Sequence, residues 1–209
     1  MGREGQKFIG DPHFTRIRKP AMYIHYGAER FDPDKWKPIA NRDATMTHGW
    51  IKPAAHTGLW ASPVDSEQSW RHWCEAEHYG SDLDKGFKLR LRDPGRIFYV
   101  TNRIAYKLLC DCYGIVTPWG TSNYQPYYFD FEKMVLDGWD GLEISLSEYP
   151  PLYDLFYTWD CDSICIFNKD AIKEVPDDEF DKVIHPERRD SLGDVFGEWD
   201  AALSHYIPT

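Results

Sequence analysis

The sequence predicts an α+β fold, and three observations carry that prediction. Short alternating apolar stretches recur from residue 21 to residue 167, each the length of a strand. Helical stretches with start and stop signals lie between the early ones, and the second half is richer in strands. Neither a G-x-G-x-x-G after a strand nor a G-x-x-x-x-G-K-[ST] is present, so the fingerprints of dinucleotide and P-loop sheets do not apply.

Length and composition bound the rest. The 209 residues suit one domain. It is read as a loosely ordered arm over 1–19, a core over 21–167 and an acidic extension over 168–209. Hydrophobic content of 42% with 28% charged residues is ordinary for a soluble protein. The 16% aromatic share, with 9 Trp and 13 Tyr, is high and points to surfaces that stack on planar ligands. A net charge of −10 argues against general nucleic-acid affinity. Five cysteines without paired C-x-x-C motifs suggest reduced thiols and no metal site. No apolar run is long enough to span a membrane and no leader is present, so a cytoplasmic protein is expected.

The elements follow in order. Ala21–Gly27 alternates, with Met22, Ile24 and Tyr26 on one side and Tyr23 and His25 on the other, and reads as a strand. Residues 28–57 have no period and read as a long loop with a helical turn near Pro33–Trp36; a loop of that length is usually functional. Gly58-Leu-Trp-Ala-Ser-Pro63 is a short strand with a sharp stop. Asp65 as N-cap and Gln68 three residues on suggest a capping box for the next helix, whose Trp70, Trp73 and Cys74 share a face; the helix fades near Tyr79. Phe87, Leu89 and Leu91 alternate along a strand, Asp93-Pro94-Gly95 turns, and Ile97–Val100 returns as a hairpin. Asn102 caps a helix over 103–113 with Ile104, Leu108 and Leu109 as its stripe. Residues 114–130 form an aromatic loop, followed by a short helix over 131–137 stopped at Gly138. Leu142, Ile144 and Leu146 face the core of a strand, with Glu143 and Ser145 facing away. Ser163–Phe167 reads as a buried strand, and a last helix falls near 190–203.

His25, Ser62 and Glu143 each sit on a strand or at its end, His25 and Glu143 opposite their apolar sets. Strands brought into one sheet, or two facing half-sheets, would let them share a cleft. With Tyr26-Gly27 after His25, Leu59-Trp60-Ala61-Ser62-Pro63 opening a Trp-rich helix, and Asp140-Gly141-Leu142-Glu143 on a late strand, the order resembles the ADP-ribosyltransferase superfamily. That family carries Arg or His on an early strand, a small hydroxyl at a middle strand end and Glu on a late strand. Two departures stand out: Trp60-Ala61-Ser62 lacks a first small hydroxyl, and no acid precedes Glu143 by two residues.

The resemblance implies split mixed or antiparallel β-sheets around an NAD cleft with flanking helices. It also implies NAD as co-substrate, transfer of ADP-ribose to a macromolecular acceptor with release of nicotinamide, and no membrane. Glu143 is then the catalytic residue, stabilising the oxocarbenium-like charge that builds on the ribose. His25 would bond a ribose hydroxyl, and Gly27 next to Tyr26 would let backbone amides approach. Ser62 would lie beside the nicotinamide ribose. Trp70 is the expected ring wall, with Trp60 or Tyr79 in reserve. A toxin or another effector of a phage or mobile element fits this activity. Two alternatives remain open: an NAD-dependent RNA 2′-phosphotransferase on the same fold, and a non-enzymatic inhibitor or interaction protein using an aromatic surface.

Overall fold

The structure, a computed structural model, describes residues 22–42, 51–80, 82–93, 96–116, 127–156 and 158–184. The arm over 1–19, the Pro94-Gly95 turn residues, most of the aromatic loop and the helix expected near 190–203 lie outside them. The chain divides into two compact units, Met1–Glu174 and Val175–Thr209.

The first unit is built on a seven-stranded mixed sheet. Its strands are β1 (Met22–Tyr26), β2 (Leu59–Pro63), β3 (Gly86–Leu91), β4 (Ile97–Val100), β7 (Gly141–Ile144), β8 (Ser163–Ile166) and β9 (Ile172–Glu174). The spatial order is β4-β7-β8-β2-β1-β3-β9. Only β4 and β7 run parallel; the other neighbours are antiparallel. A separate pair, β5 (Gly114–Val116) and β6 (Tyr127–Phe129), stands apart. Helices α1 (Trp70–Ala76), α2 (Arg103–Tyr113), α3 (Phe131–Leu136) and the single turn α4 (Leu152–Leu155) complete this unit. The α+β expectation is met. The second unit contains α5 (Asp177–Ile184), acidic in its first turn.

The sheet is continuous only through a narrow seam. Leu59–Ala61 of β2 pairs with β8, whereas only Pro63 and Ser62 pair with Tyr23 and Ile24 of β1. Beyond Ile24, β1 continues with β3 alone, through His25↔Phe87 and Tyr26↔Gly86. The two halves therefore part at His25.

The predicted hairpin does not form. β3 pairs with β1 and β9, and β4 pairs with β7. Alternation marks a strand but does not name its partner. Since β3 and β4 lie five places apart, a flat sheet would separate them by about 24 Å. Residues 92–96 reach roughly 20 Å when fully extended, so the sheet curls and closes one face on itself. Tyr23, Phe87 and Leu89 from one half then share a core with Ile97, Ile164 and Ile166 from the other. The outer face of the β4-β7-β8 half packs Phe98, Val100, Leu142 and Ile144 against α2 and α3 through Leu109, Phe131 and Met134.

Helix boundaries follow local chemistry, with two corrections. Asn102 caps α2 by accepting from the Ala105 N–H at 2.9 Å, and Gly138 at φ 92° ends α3. In α2, however, Leu109 is buried while Ile104 is 81% exposed, so the packed stripe runs through Leu109, Cys110 and Tyr113. Nor does Asp65 open α1. Ser66 Oγ accepts from the Gln68 N–H and donates to Asp162 Oδ2, which ties the would-be first turn to another part of the chain. The helix starts five residues after Asp65, at Trp70.

Candidate functional site

A cavity of about 380 Å³ opens at the seam. Ile24, His25 and Tyr26 line it from β1, and Trp60, Ala61 and Ser62 from β2. Trp70 comes from α1, and Trp159, Cys161 and Ser163 come from the approach to β8 and its first residue. Arg42 and the run Lys52–His56 close it from the long loop. Five of the seven residues expected to bind a cofactor thus meet in one place: His25, Tyr26, Trp60, Ser62 and Trp70.

Each is held by identifiable contacts. His25 Nδ1 lies 2.6 Å from the Trp60 carbonyl oxygen, bridging the seam. Only a protonated Nδ1 can donate there, so in the neutral ring Nε2 is left as an acceptor. Burial lowers the His25 pKa below its ordinary 6.5, and the Trp60 bond opposes that shift, so the imidazole is neutral at pH 7. Ser62 is 1% exposed, and its Oγ accepts from the Trp70 N–H at 2.9 Å. It acts as a remote cap for α1, supplying the hydrogen bond that the Ser69 side chain does not make. Trp70 stacks on Trp73 with centroids 5.0 Å apart and planes 18° off parallel. Arg71 lies over the Tyr26 ring. Trp60 packs against Trp159 at 4.8 Å and carries Lys52 over its face at 5.6 Å.

Three expected residues lie elsewhere. Tyr79 meets Trp70 edge-on and Trp73 at a tilt but does not line the cavity, and it is 54% exposed. Gly27 also lies outside the lining, and its N–H is bonded to the Lys85 carbonyl. Glu143 is the main correction. Far from facing away from the core, it is 1% exposed, and its Oε2 accepts from the Tyr23 hydroxyl at 2.6 Å. The register runs Glu143↔Ile164↔Ala61 across β7, β8 and β2, so Glu143 projects into the inner core, where Tyr23 and Ile164 sit. The curl of the sheet, invisible in the alternation, makes both faces of β7 interior.

The lining also holds residues that local pattern did not single out. Arg42 and Lys52 bring fixed positive charge, His56 adds a third basic group after His25, and no lining residue is acidic. Arg42 is anchored by its Nε on the Pro53 carbonyl and by its own carbonyl, which accepts from the Tyr128 hydroxyl. Lys52 pairs with Asp160 at 3.0 Å. His56 and Asp160 both have positive φ, 64° and 52°, a conformation that non-glycine residues adopt at a cost and that clusters at binding sites. Gly58, just after this run, has φ 65°, and a Cβ there would meet the Ile166 carbonyl oxygen at 2.7 Å, so this entry to β2 requires glycine. The unusual length of the 28–57 loop was the signal that it has a task. Burial raises the Cys161 thiol to about 12, which removes it as a nucleophile at neutral pH. Asp162, between lining residues Cys161 and Ser163, is 2% exposed. It accepts from the Ser147 N–H, from the Ser147 hydroxyl and from the Ser66 hydroxyl.

Fold and site together define a mixed-sheet protein with an aromatic and basic cavity at the seam of its sheet. The chain matches no family model, no curated protein and no solved structure. Among the described residues, no helix is long and apolar enough to cross a membrane.

Proposed function

We propose that the seam cavity binds NAD and that the protein is an NAD-dependent ADP-ribosyltransferase acting on a macromolecular acceptor. The observation that carries this reading is the lining itself. Trp60, Trp70 and Tyr26 bring partly exposed aromatic rings, while Arg42 and Lys52 offer positive charge. A cationic planar ring suits the former by stacking and cation–π attraction, and a diphosphate suits the latter. The neutral His25 presents an acceptor that suits a ribose hydroxyl.

In the reaction the bond between ribose C1′ and the nicotinamide nitrogen breaks. Its electron pair leaves with the ring, which becomes neutral. An acceptor nucleophile then bonds C1′ and gives up its proton. Positive charge on the ribose calls for a nearby carboxylate. Glu143 is sealed in the core and no lining residue is acidic, so that role is assigned to Asp162. Its chain neighbours Cys161 and Ser163 line the cavity, and its carboxylate would have to leave its serine partners to face the ribose. The test is direct. Purified protein with NAD should release nicotinamide and label a co-expressed proteome or nucleic-acid pool. Asp162→Asn should bind NAD yet release no nicotinamide. Absence of any NAD-dependent thermal stabilisation at millimolar concentration rejects the reading, since a ligand at 100 times its dissociation constant adds about 2.7 kcal/mol.

A second reading, removal of a 2′-phosphate from RNA with NAD as acceptor, is favoured by one observation: the lining has four basic side chains and no acid. A 2′-phosphorylated oligonucleotide offered with NAD discriminates it. Loss of the 2′-phosphate with no macromolecular label would select this reading over the first.

A further inference from the structure

Three aromatic rings run from the cavity wall out along α1. Trp70 lines the cavity and stacks on Trp73. Tyr79 closes on both, with its ring centroid 5.6 Å from that of Trp70 and 5.3 Å from that of Trp73. None of the three is buried, and Tyr79 is 54% exposed. Apolar surface left in water and rimmed by polar groups marks an interaction site.

The rim here is acidic. Six carboxylates stand between residues 65 and 85, at Asp65, Glu67, Glu75, Glu77, Asp82 and Asp84, against Arg71 and Lys85. All six acidic residues are exposed. Glu77 follows Trp70 and Trp73 at i+7 and i+4, on their side of the helix, and its N–H bonds the Trp73 carbonyl. Arg71 Nη2 donates to the Leu83 carbonyl at 2.7 Å, which holds the segment bearing Asp82 and Asp84 against α1. Both cations are engaged within the group. Arg71 lies over the Tyr26 ring and pairs with Glu75 at 3.6 Å, and Lys85 pairs with Asp82 at 3.1 Å. The cavity has the opposite character, basic with no acid in its lining. A polyanion is repelled by this rim. Arginine and lysine side chains instead meet carboxylates together with Trp and Tyr faces that attract a cation.

We infer that the macromolecular acceptor is a protein, and that a segment of it rich in arginine and lysine docks along Trp73 and Tyr79, beside Glu77 and Asp84. This rests on the ADP-ribosyltransferase reading and names the class of acceptor for it. A chain lying on the aromatic row reaches Trp70, which belongs to the cavity wall, and so brings its nucleophilic side chains to the site of transfer.

The test follows fluorescence anisotropy, without NAD, of three labelled probes: a peptide of alternating arginine and glycine, its citrulline counterpart, and a single-stranded oligouridylate. Wild type should bind the arginine peptide, more weakly as salt rises, and neither of the others. Tyr79→Ala, a change at an exposed side chain, should weaken peptide binding about threefold, the size of one exposed cation–π contact. Glu77→Gln with Asp84→Asn should weaken it about tenfold, with the circular dichroism spectrum of wild type showing that the fold is kept. Asp111→Asn with Asp154→Asn removes the same charge from exposed positions on α2 and α4 and should bind the peptide as wild type does. Equal loss in this control, no loss in the other two variants, or binding of the oligouridylate in place of the peptide overturns the inference while NAD binding stands. Peptide binding by a wild-type protein that binds no NAD overturns the transferase reading, and with it the acceptor role of the docked segment.

Discussion

The Tyr23 hydroxyl donates a 2.6 Å hydrogen bond to Glu143 Oε2 across the inner core, with Tyr23 in β1 of one half-sheet and Glu143 in β7 of the other. Both residues are essentially inaccessible to solvent. The carboxylate therefore ties the two halves together behind the seam and leaves the cavity to other groups. Tyr23→Phe removes this buried donor and should cost about 1–3 kcal/mol, measured by denaturant midpoint. Glu143→Gln, which keeps the shape, should lose stability but retain NAD affinity in the folded fraction. A stable Glu143→Gln protein unable to release nicotinamide would return Glu143 to the chemistry.

The burial of His25 gives stability a pH dependence, which its bond to the Trp60 carbonyl partly offsets. The folded pKa of His25 is depressed, chiefly by burial, so the unfolded chain takes up this proton first on acidification. Its contribution is fully present above pH 6.5 and is lost as pH falls below 6.5 towards the folded pKa. Melting temperatures from pH 7.5 to pH 5 should decline in wild type, and the part of that slope due to His25 should disappear in His25→Asn.

Ser62→Ala removes the side-chain oxygen that caps the first N–H of α1 in place of Ser69. The loss should be about 1 kcal/mol, or roughly 2–4 °C in melting temperature for a chain of this size. Because Trp70 is the residue so capped, affinity for a stacking ligand should fall in the same variant, as read by tryptophan fluorescence titration.

Asp162→Asn replaces an acceptor of three hydrogen bonds with a group whose amide nitrogen cannot accept. It should cost roughly 2–3 kcal/mol. The added expectation is kinetic: nicotinamide release should fall far more than NAD affinity. A parallel fall in both would mean that Asp162 only shapes the rim.

The cationic side of the cavity makes a separable claim. Arg42→Gln with Lys52→Gln should weaken ADP-ribose binding about tenfold or more and flatten its salt dependence, while leaving N-methylnicotinamide binding nearly unchanged. Titration calorimetry at two ionic strengths measures both.

Period and punctuation along the chain were enough to locate β1, β2, β3, α2, α3, β7 and β8 to within a few residues, because backbone and side-chain direction obey local rules. The resemblance in motif order, rather than periodicity, brought His25, Tyr26, Trp60, Ser62 and Trp70 forward as a set. Pairing obeys no local rule: β3 and β4 read as a hairpin, and tertiary packing sent them to opposite flanks of one curled sheet. That curl turned the polar side of β7 inward and put Glu143 against Tyr23 instead of in the cleft. It also gathered Arg42, Lys52 and Trp159, from segments more than a hundred residues apart at the extremes, around the seam. A side chain's face can be read from its neighbours in the chain, but what that face meets depends on contacts between distant strands.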